Sequence, residues 1–547
     1  MRPAGSWLAC LAFALAVAAA PAATYYVDPG AGDDRAAGTS PERAWRTLAR
    51  TRGAELAPGD RLLLLAGARH AGRLHFEGLA GTAERPIVLG SYAPPGAAPD
   101  ARALVDGRGQ PAAVSLRNCR HVVVSDLVVT ADGGAPTGAM RCGVLVTADG
   151  GAESRGLTLQ RLHVKSVSYE NPGHVRPEAD VRTANGRARY GWGIRFLVPD
   201  GDRAVLRDLV VRDCRIERVD HTGLKFTAPR DGIRDVLVEH VAVSHSGGPG
   251  VQMSGVTGGR FAHLSVDHSG STADTRNWGR GSGLWTWGTR DVVVERSRFT
   301  DANGPGDSAG VHIDFNCEHV VVQHNFSARN AGGFCEILGN NRNCAYRYNV
   351  SVDDGHRVKG RGGAFQEGKV LWLSGYVGEK RSPQGPFDSY IYNNTIVVSA
   401  GIEPKFAFGP TAEGVLVANN LFVLARPGRR VAGDQWVKDD VAARPIARAV
   451  MAGNLLLRAE DWPAGLGLAD GAPVVGDPRF AAPGGDRPED YVPTAAALVR
   501  DRGVVIAPLP GDAVGLKVGL AVATDILGRP IVGAPDIGAI ELPAGPP

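Results

Sequence analysis

The sequence predicts an all-β parallel solenoid, on three observations. A glycine-led strand recurs through the middle of the chain, a valine-rich strand follows it in several units, and an asparagine recurs at a matched offset after that second strand. The glycine-led segments are GVLVT from Gly143, GIRFL from Gly193, GLKFT from Gly223, GVQMS from Gly250, GLWTW from Gly283 and GVHID from Gly310. GFCE from Gly333 joins them, with Gly332 one position earlier. Apart from one longer interval, successive glycines are separated by steps from the low twenties to the low thirties. Short strands repeating every ~22–30 residues mark a solenoid, whose turns bury their apolar sides by stacking on one another.

The second strands read VVVSDLVV, VLVEHVAV, VVVERSRF and VVVQHNFS. Asn325, Asn349, Asn394, Asn420 and Asn454 share one offset, which Leu127, Val241 and Ser297 occupy in earlier units. Asparagine tolerates the left-handed backbone of a turn, and stacked carboxamides can hydrogen-bond along the stack, so a ladder is expected.

Taken in order, residues 1–22 carry an arginine, the apolar run LACLAFALAVAAA and APA at the end, the pattern of a cleaved signal peptide. An exported protein, secreted or periplasmic, is expected, and no later apolar run reaches the ~20 residues of a membrane span. Residues 24–60 hold a first strand and the amphipathic SPERAWRTLAR, expected to form a helix that caps the open end of the solenoid. Rungs are expected over 61–460, from DRLLLLAG onward, with last rungs and a C-terminal cap or tail over 461–547.

Composition narrows the function. A net charge of +3 over 547 residues, without Lys/Arg blocks, excludes an electrostatic nucleic-acid binder and a membrane-surface protein, and a monomer is expected. Cys119, Cys142, Cys214, Cys317, Cys335 and Cys344 follow the signal. Export permits pairs such as Cys335–Cys344 or Cys119–Cys142, and buried free thiols are the alternative.

With these repeats in place, the chain resembles the secreted right-handed parallel β-helix proteins of the pectate-lyase-like class (the pectin lyase fold). YYVDPGAGDDRAAGTSPERAWRTL near the start resembles the opening of many secreted members, and PDIGAIEL near the end their terminal strand. The resemblance covers most of the mature chain and implies fold and export. It leaves the chemistry to the site, because many activities share the scaffold. The paired-Asp and RIK pattern of polygalacturonases and the DPHD motif of alginate epimerases are absent.

Strand alternation sorts each unit into an inward and an outward face. Counting from the glycine, the inward places read Val144, Ile194, Leu224, Val251, Leu284, Val311 and then Val146, Phe196, Phe226, Met253, Thr286, Ile313. The outward second place reads Leu145, Arg195, Lys225, Gln252, Trp285, His312 and, with Gly332 as origin, Phe334. The fourth place reads Thr147, Leu197, Thr227, Ser254, Trp287, Asp314 and Glu336. One sheet face would thus display a continuous patch. Exposed tryptophans there suit stacking on sugar rings, or packing beneath a neighbouring insert. Trp278 precedes them, and the inserts at 165–192, 271–283 and 374–390 could wall a groove.

The expected catalytic groups are Lys225, His312, Asp314 and Glu336, with Arg195, Gln252, Trp285 and Trp287 binding substrate. Lys225 beside Arg195 suits a base of lowered pKa or an anchor for a carboxylate, and His312 an acid or base near neutrality. On adjacent rungs, Asp314 and Glu336 would stand ~5 Å apart, close to the ~5–5.5 Å of retaining glycosidases. The same pair could instead hold Ca²⁺. DHTG at 220–223 and HRVKGR at 356–361 stand at strand ends as secondary candidates. The favoured expectation is β-elimination on an acidic, uronate-containing polysaccharide. A glycoside hydrolase using the carboxylate pair and a noncatalytic glycan-binding protein are the alternatives.

Overall fold

In the computed structural model, the residues described are 21–132, 141–167, 191–270, 281–378, 380–433 and 444–543. Their strands form three wholly parallel sheets of 14, 12 and 14 strands, each strand pairing with its counterpart one turn away. Almost nothing else is regular, and the architecture is a right-handed parallel β-helix. The first sheet runs from Thr24–Val27 to Val450–Ala452 and the third from Arg69–Ala71 to Val474–Val475. The 12-stranded sheet, from Leu74–Glu77 to Arg429–Arg430, carries the glycine-led strands and is called the site sheet below.

The inward columns fill the solenoid as the alternation predicts. Val144 pairs with Ile194, Ile194 with Leu224, Leu224 with Val251, Val251 with Leu284, and Leu284 with Val311. All are buried in one core, and the Phe196 and Phe226 rings stack 4.9 Å apart. The leading glycines are required by close approach. A Cβ on Gly223 would lie 2.4 Å from Val243 Cγ1 and 2.7 Å from the Gly250 carbonyl oxygen.

The asparagine ladder forms. Each Nδ2 donates to the next Oδ1, at 3.1, 2.9, 2.9 and 3.1 Å from Asn325 through Asn349, Asn394 and Asn420 to Asn454. Each of these acceptor oxygens also takes the backbone N–H of the preceding asparagine. Ser297 joins at one end through its N–H, and Asp470 closes the other.

SPERAWRTLAR does not make one helix. It gives a 3₁₀ turn at Pro41–Arg43 and a single α-turn at Leu48–Thr51. Between them Trp45 is extended, its N–H bonded to the Tyr26 carbonyl and its carbonyl to the Asp28 N–H, and this pairing breaks the helix. Trp45 and Leu48 are buried in the solenoid core. The six cysteines are free and buried, so neither Cys335–Cys344 nor Cys119–Cys142 is bonded. Burial raises the Cys119 thiol to about 11 and Cys142 to about 12, which keeps them protonated small hydrophobes.

Beyond Val475 the chain runs back along the outside of the rungs. Asp486 pairs with Arg298 and Arg329, Tyr392 Oη donates to the Leu520 carbonyl, and Asn393 Nδ2 donates to the Asp536 carbonyl. Among the described residues no helix is long and apolar enough to cross a membrane.

Candidate active site

The parallel register assembles the outward column of the site sheet. Arg195 pairs with Lys225, Lys225 with Gln252, Gln252 with Trp285, Trp285 with His312, His312 with Glu336, and Glu336 with Trp372. Phe334 therefore does not continue this column. It takes the place of the leading glycine, opposite Gly310, and is buried in the core. Gly333 permits the change: at φ 155° its added Cβ would sit 2.0 Å from the Lys369 carbonyl oxygen. The strand is displaced by two residues, so Cys335 and Ile337 keep the inward face and Glu336 the outward one, while Phe334 enters the core. Glu336 moves from beside Asp314 to beside His312. With ~4.8 Å between rungs and ~3.3 Å per residue, the Asp314 and Glu336 Cα atoms are diagonal, on the order of 8 Å apart.

A second expectation is also corrected. The column is not an exposed patch: Lys225 is 2% exposed, Gln252 0% and Trp285 5%, and His312, Glu336 and Trp372 are likewise buried. Arg195 is half-buried, its guanidinium 3.9 Å from the Trp192 ring centroid. Burial, and then the Arg195 charge, hold the Lys225 ammonium well below its ordinary value.

At the other end of the column the polar groups interlock. The His312 imidazole stacks on Trp285, centroids 5.7 Å apart and planes within 11°. Its Nδ1 lies 3.3 Å from Glu336 Oε2, an ion-pair distance without hydrogen-bond alignment. Trp285 Nε1 donates to Asp314 Oδ2 at 3.0 Å, and the Phe315 N–H to Asp314 Oδ1 at 2.9 Å. Both Asp314 oxygens thus act as acceptors, the role of an ionised carboxylate. Burial pushes the Glu336 carboxyl up to about 8, with Lys369 pulling against it and Asp307 adding to the rise.

Sequence reasoning missed Asp307, Lys369 and Trp372. Asp307 is buried just before the His312 strand, where it and Ser308 have left-handed backbones, and its N–H donates to Gln366 Oε1 at 2.7 Å. Lys369 Nζ lies 3.6 Å from the Trp372 ring centroid. The alternation of KVLWL was the available signal for that rung, which lacks a leading glycine. Arg357, from the HRVKGR cluster, also reaches this end. Its Nη1 donates to the Asp307 carbonyl at 2.7 Å, and it lowers the Glu336 pKa.

Trp287, in the fourth column, is half-buried and 5.3 Å from Trp285 between ring centroids. It lines an open cleft of about 680 Å³ with Thr227, Ser254 and the turn residues that follow the strands. Of the DHTG cluster, His221 is buried, with Nδ1 2.7 Å from Thr222 Oγ1 and its ring 5.9 Å from Trp192. Trp278, and most of the inserts at 165–192 and 271–283, lie outside the described residues. Among the described residues, the one group of three or more donors near enough for a single ion is His245, Asp267 and His268 on the third sheet, so Asp314 and Glu336 belong to none.

Comparisons with known proteins agree with this architecture. The family model described as "Right handed beta helix region" matches residues 200–366. A lacto-N-biosidase of Bifidobacterium longum subsp. longum is 23% identical over an alignment covering 95% of this chain and 36% of that protein. The chain thus spans about a third of the length of that curated relative. Among solved structures, the GH136 lacto-N-biosidase from Eubacterium ramulus is 20% identical at a TM-score of 0.50, over 75% of this chain and 67% of that one. XylC in complex with xylose is 10% identical, also at 0.50, over 95% and 98% of the two chains. Parallel sheets, stacked turns and these likenesses together place the chain in the class of right-handed parallel β-helix proteins with the pectate-lyase-like fold.

Proposed function

We propose that this chain is an exported glycoside hydrolase whose acid–base pair comes from the carboxyl cluster around His312. Glycoside hydrolysis requires one carboxyl group that is protonated near neutrality and one that is ionised. Glu336, pushed to about 8 by burial, supplies the proton, and Asp314, with two donors on its oxygens, serves as base or nucleophile. That contrast in environment carries the assignment. Asp307 adds negative charge that helps hold the Glu336 proton, and Lys369 and Arg357 oppose it. Trp285 orients Asp314 through its N–H and presents its ring to His312. The lacto-N-biosidase name of the curated relative supports a glycosidase.

The elimination mechanism expected from the sequence asked Lys225, Arg195 and His312 to serve one uronate. Lys225 and His312 are three rungs apart, ~14 Å, too far to act on one sugar ring. A second reading keeps β-elimination at Lys225 and Arg195 alone, favoured by the lowered Lys225 pKa.

Purified protein should be incubated with neutral and uronate-containing oligosaccharides while reducing ends and ultraviolet absorbance are followed together. Hydrolysis predicts reducing ends without absorbance, lost ~100-fold or more in Asp314→Asn and Glu336→Gln. Full activity in Glu336→Gln with loss in Asp307→Asn would transfer the donor role to Asp307. An unsaturated product lost in Lys225→Ala would replace hydrolysis with elimination.

A further inference from the structure

We infer that the cleft beside Trp287 is a subsite for the uncharged part of an oligosaccharide beyond the bond that is cleaved, an inference that rests on the glycosidase reading above. Its position is the first reason. Trp287 stands one rung from Asp314, and its ring lies against that of Trp285, which hydrogen-bonds Asp314. A glycan whose reacting bond lies at Asp314 would meet Trp287, which lines the cleft, one rung away. At about 680 Å³ the volume is in the range of sites that enclose small molecules, ~300–1,000 Å³.

The wall chemistry is the second reason. Trp287 offers a half-buried indole face, the surface on which the apolar side of a sugar ring stacks. On the same wall, Thr227 carries a buried hydroxyl with no hydrogen-bond partner among the described residues. An unmade bond at a buried polar atom is costly, and a sugar hydroxyl entering the cleft would supply it. Asn340 and Asn316, bonded to each other at 2.8 Å, add carboxamides of the kind that bind hydroxyl groups.

Charge selects the ligand class. Three guanidinium groups, Arg230, Arg290 and Arg342, face three carboxylates, Asp200, Asp231 and Glu318, for a balance of zero. Arg290 is already paired with Asp231 at 2.6 Å, and the Arg342 guanidinium lies 4.3 Å over the Phe387 ring. Among the described residues that line the cleft the charges balance, which argues for neutral glycans over uronates there.

The test uses the full chain with Asp314→Asn, to slow turnover, on an array of defined neutral and acidic oligosaccharides from two to six units. Neutral glycans of three or more units should be retained. Adding Trp287→Ala should weaken them about tenfold, leave disaccharides unchanged, and be largely reversed by Trp287→Phe, with melting temperatures unaltered. Retention independent of length, or indifferent to Trp287→Ala, would overturn the subsite and leave the glycosidase reading intact. Retention of acidic glycans alone would overturn the neutral class. No retention, with no hydrolysis by the unmodified protein, would overturn the glycosidase reading and this inference together.

Discussion

The solenoid carries two stacked polar columns, and both are buried. In the turn column, each asparagine from Asn325 to Asn454 gives its amide to its neighbour and to a backbone carbonyl, and takes a backbone N–H in return. In the site-sheet column, among the described residues, neither amide atom of Gln252 has a hydrogen-bond partner and the Trp372 N–H lacks an acceptor. Glu336 Oε2 reaches His312 only at ion-pair distance. A completed column holds rungs together. An incomplete one carries desolvation cost with no structural return, the expected signature of groups kept for a ligand.

The largest difference should appear in activity. Asp314→Asn should lower kcat on the order of 10³-fold with only a modest fall in melting temperature, because the amide keeps the shape and loses the charge but can accept only one of the two N–H donors. A matching loss of stability would place Asp314 with the structural column instead.

Stability should show the reverse pattern. Asn394→Ala removes the link between Asn349 and Asn420 and leaves buried partners unsatisfied, so it should cost about 3 kcal/mol in denaturant unfolding with catalysis intact in the folded fraction. A cost near zero would mean that the backbone pairs alone hold these rungs.

Buried carboxyl groups at the site and away from it should also differ in response to pH. Glu336, at about 8, and Asp354, at about 7 beside the Asn330 turn, are both raised by burial. The folded state therefore holds their protons more tightly than the unfolded chain. Their contribution is full below the ordinary carboxylate range and is lost as pH rises to about 8. Melting temperature should decline across that interval, less steeply in Glu336→Gln and in Asp354→Asn. Hydrolysis should fall above about pH 8 and respond to Glu336 alone. A fall in activity at the same pH in a Glu336→Gln variant would assign the proton to another group.

The smallest effect is expected at Gln252. Replacing an amide with no hydrogen-bond partner among the described residues by leucine should change stability by less than about 1 kcal/mol, and with either sign. Destabilisation comparable to Asn394→Ala would show that Gln252 is bonded in the folded protein and would erase the contrast between the columns.

Much of the fold was legible in residue order. A period of two along Val144–Val146 or Val311–Ile313 assigns faces without knowledge of neighbours, and Asn at a fixed offset announces the ladder. The glycine rule then failed at Gly332–Gly333. It assumed that every unit begins on a glycine, whereas Phe334 fills that place and Gly333 takes up the backbone change. Gly333 at the first inward place, where the other units carry Val, Ile or Leu, was the signal against that register. SPERAWRTLAR misled in a different way, because Trp45 gains more by pairing with Tyr26 than by joining a helix.

The sequence by itself determined the parallel solenoid, the inward columns, the ladder and the outward placement of Arg195, Lys225, Gln252, Trp285 and His312. These are local properties, fixed by alternation and by repeats that must stack to bury their apolar face. Only the tertiary structure decided that this outward column is buried, that Glu336 sits against His312, and that Asp307, Lys369 and Arg357 converge on it. Burial and charge proximity depend on which turns and inserts pack together across tens of residues. A carboxyl group's proton affinity is set by that packing and by no feature of its own segment.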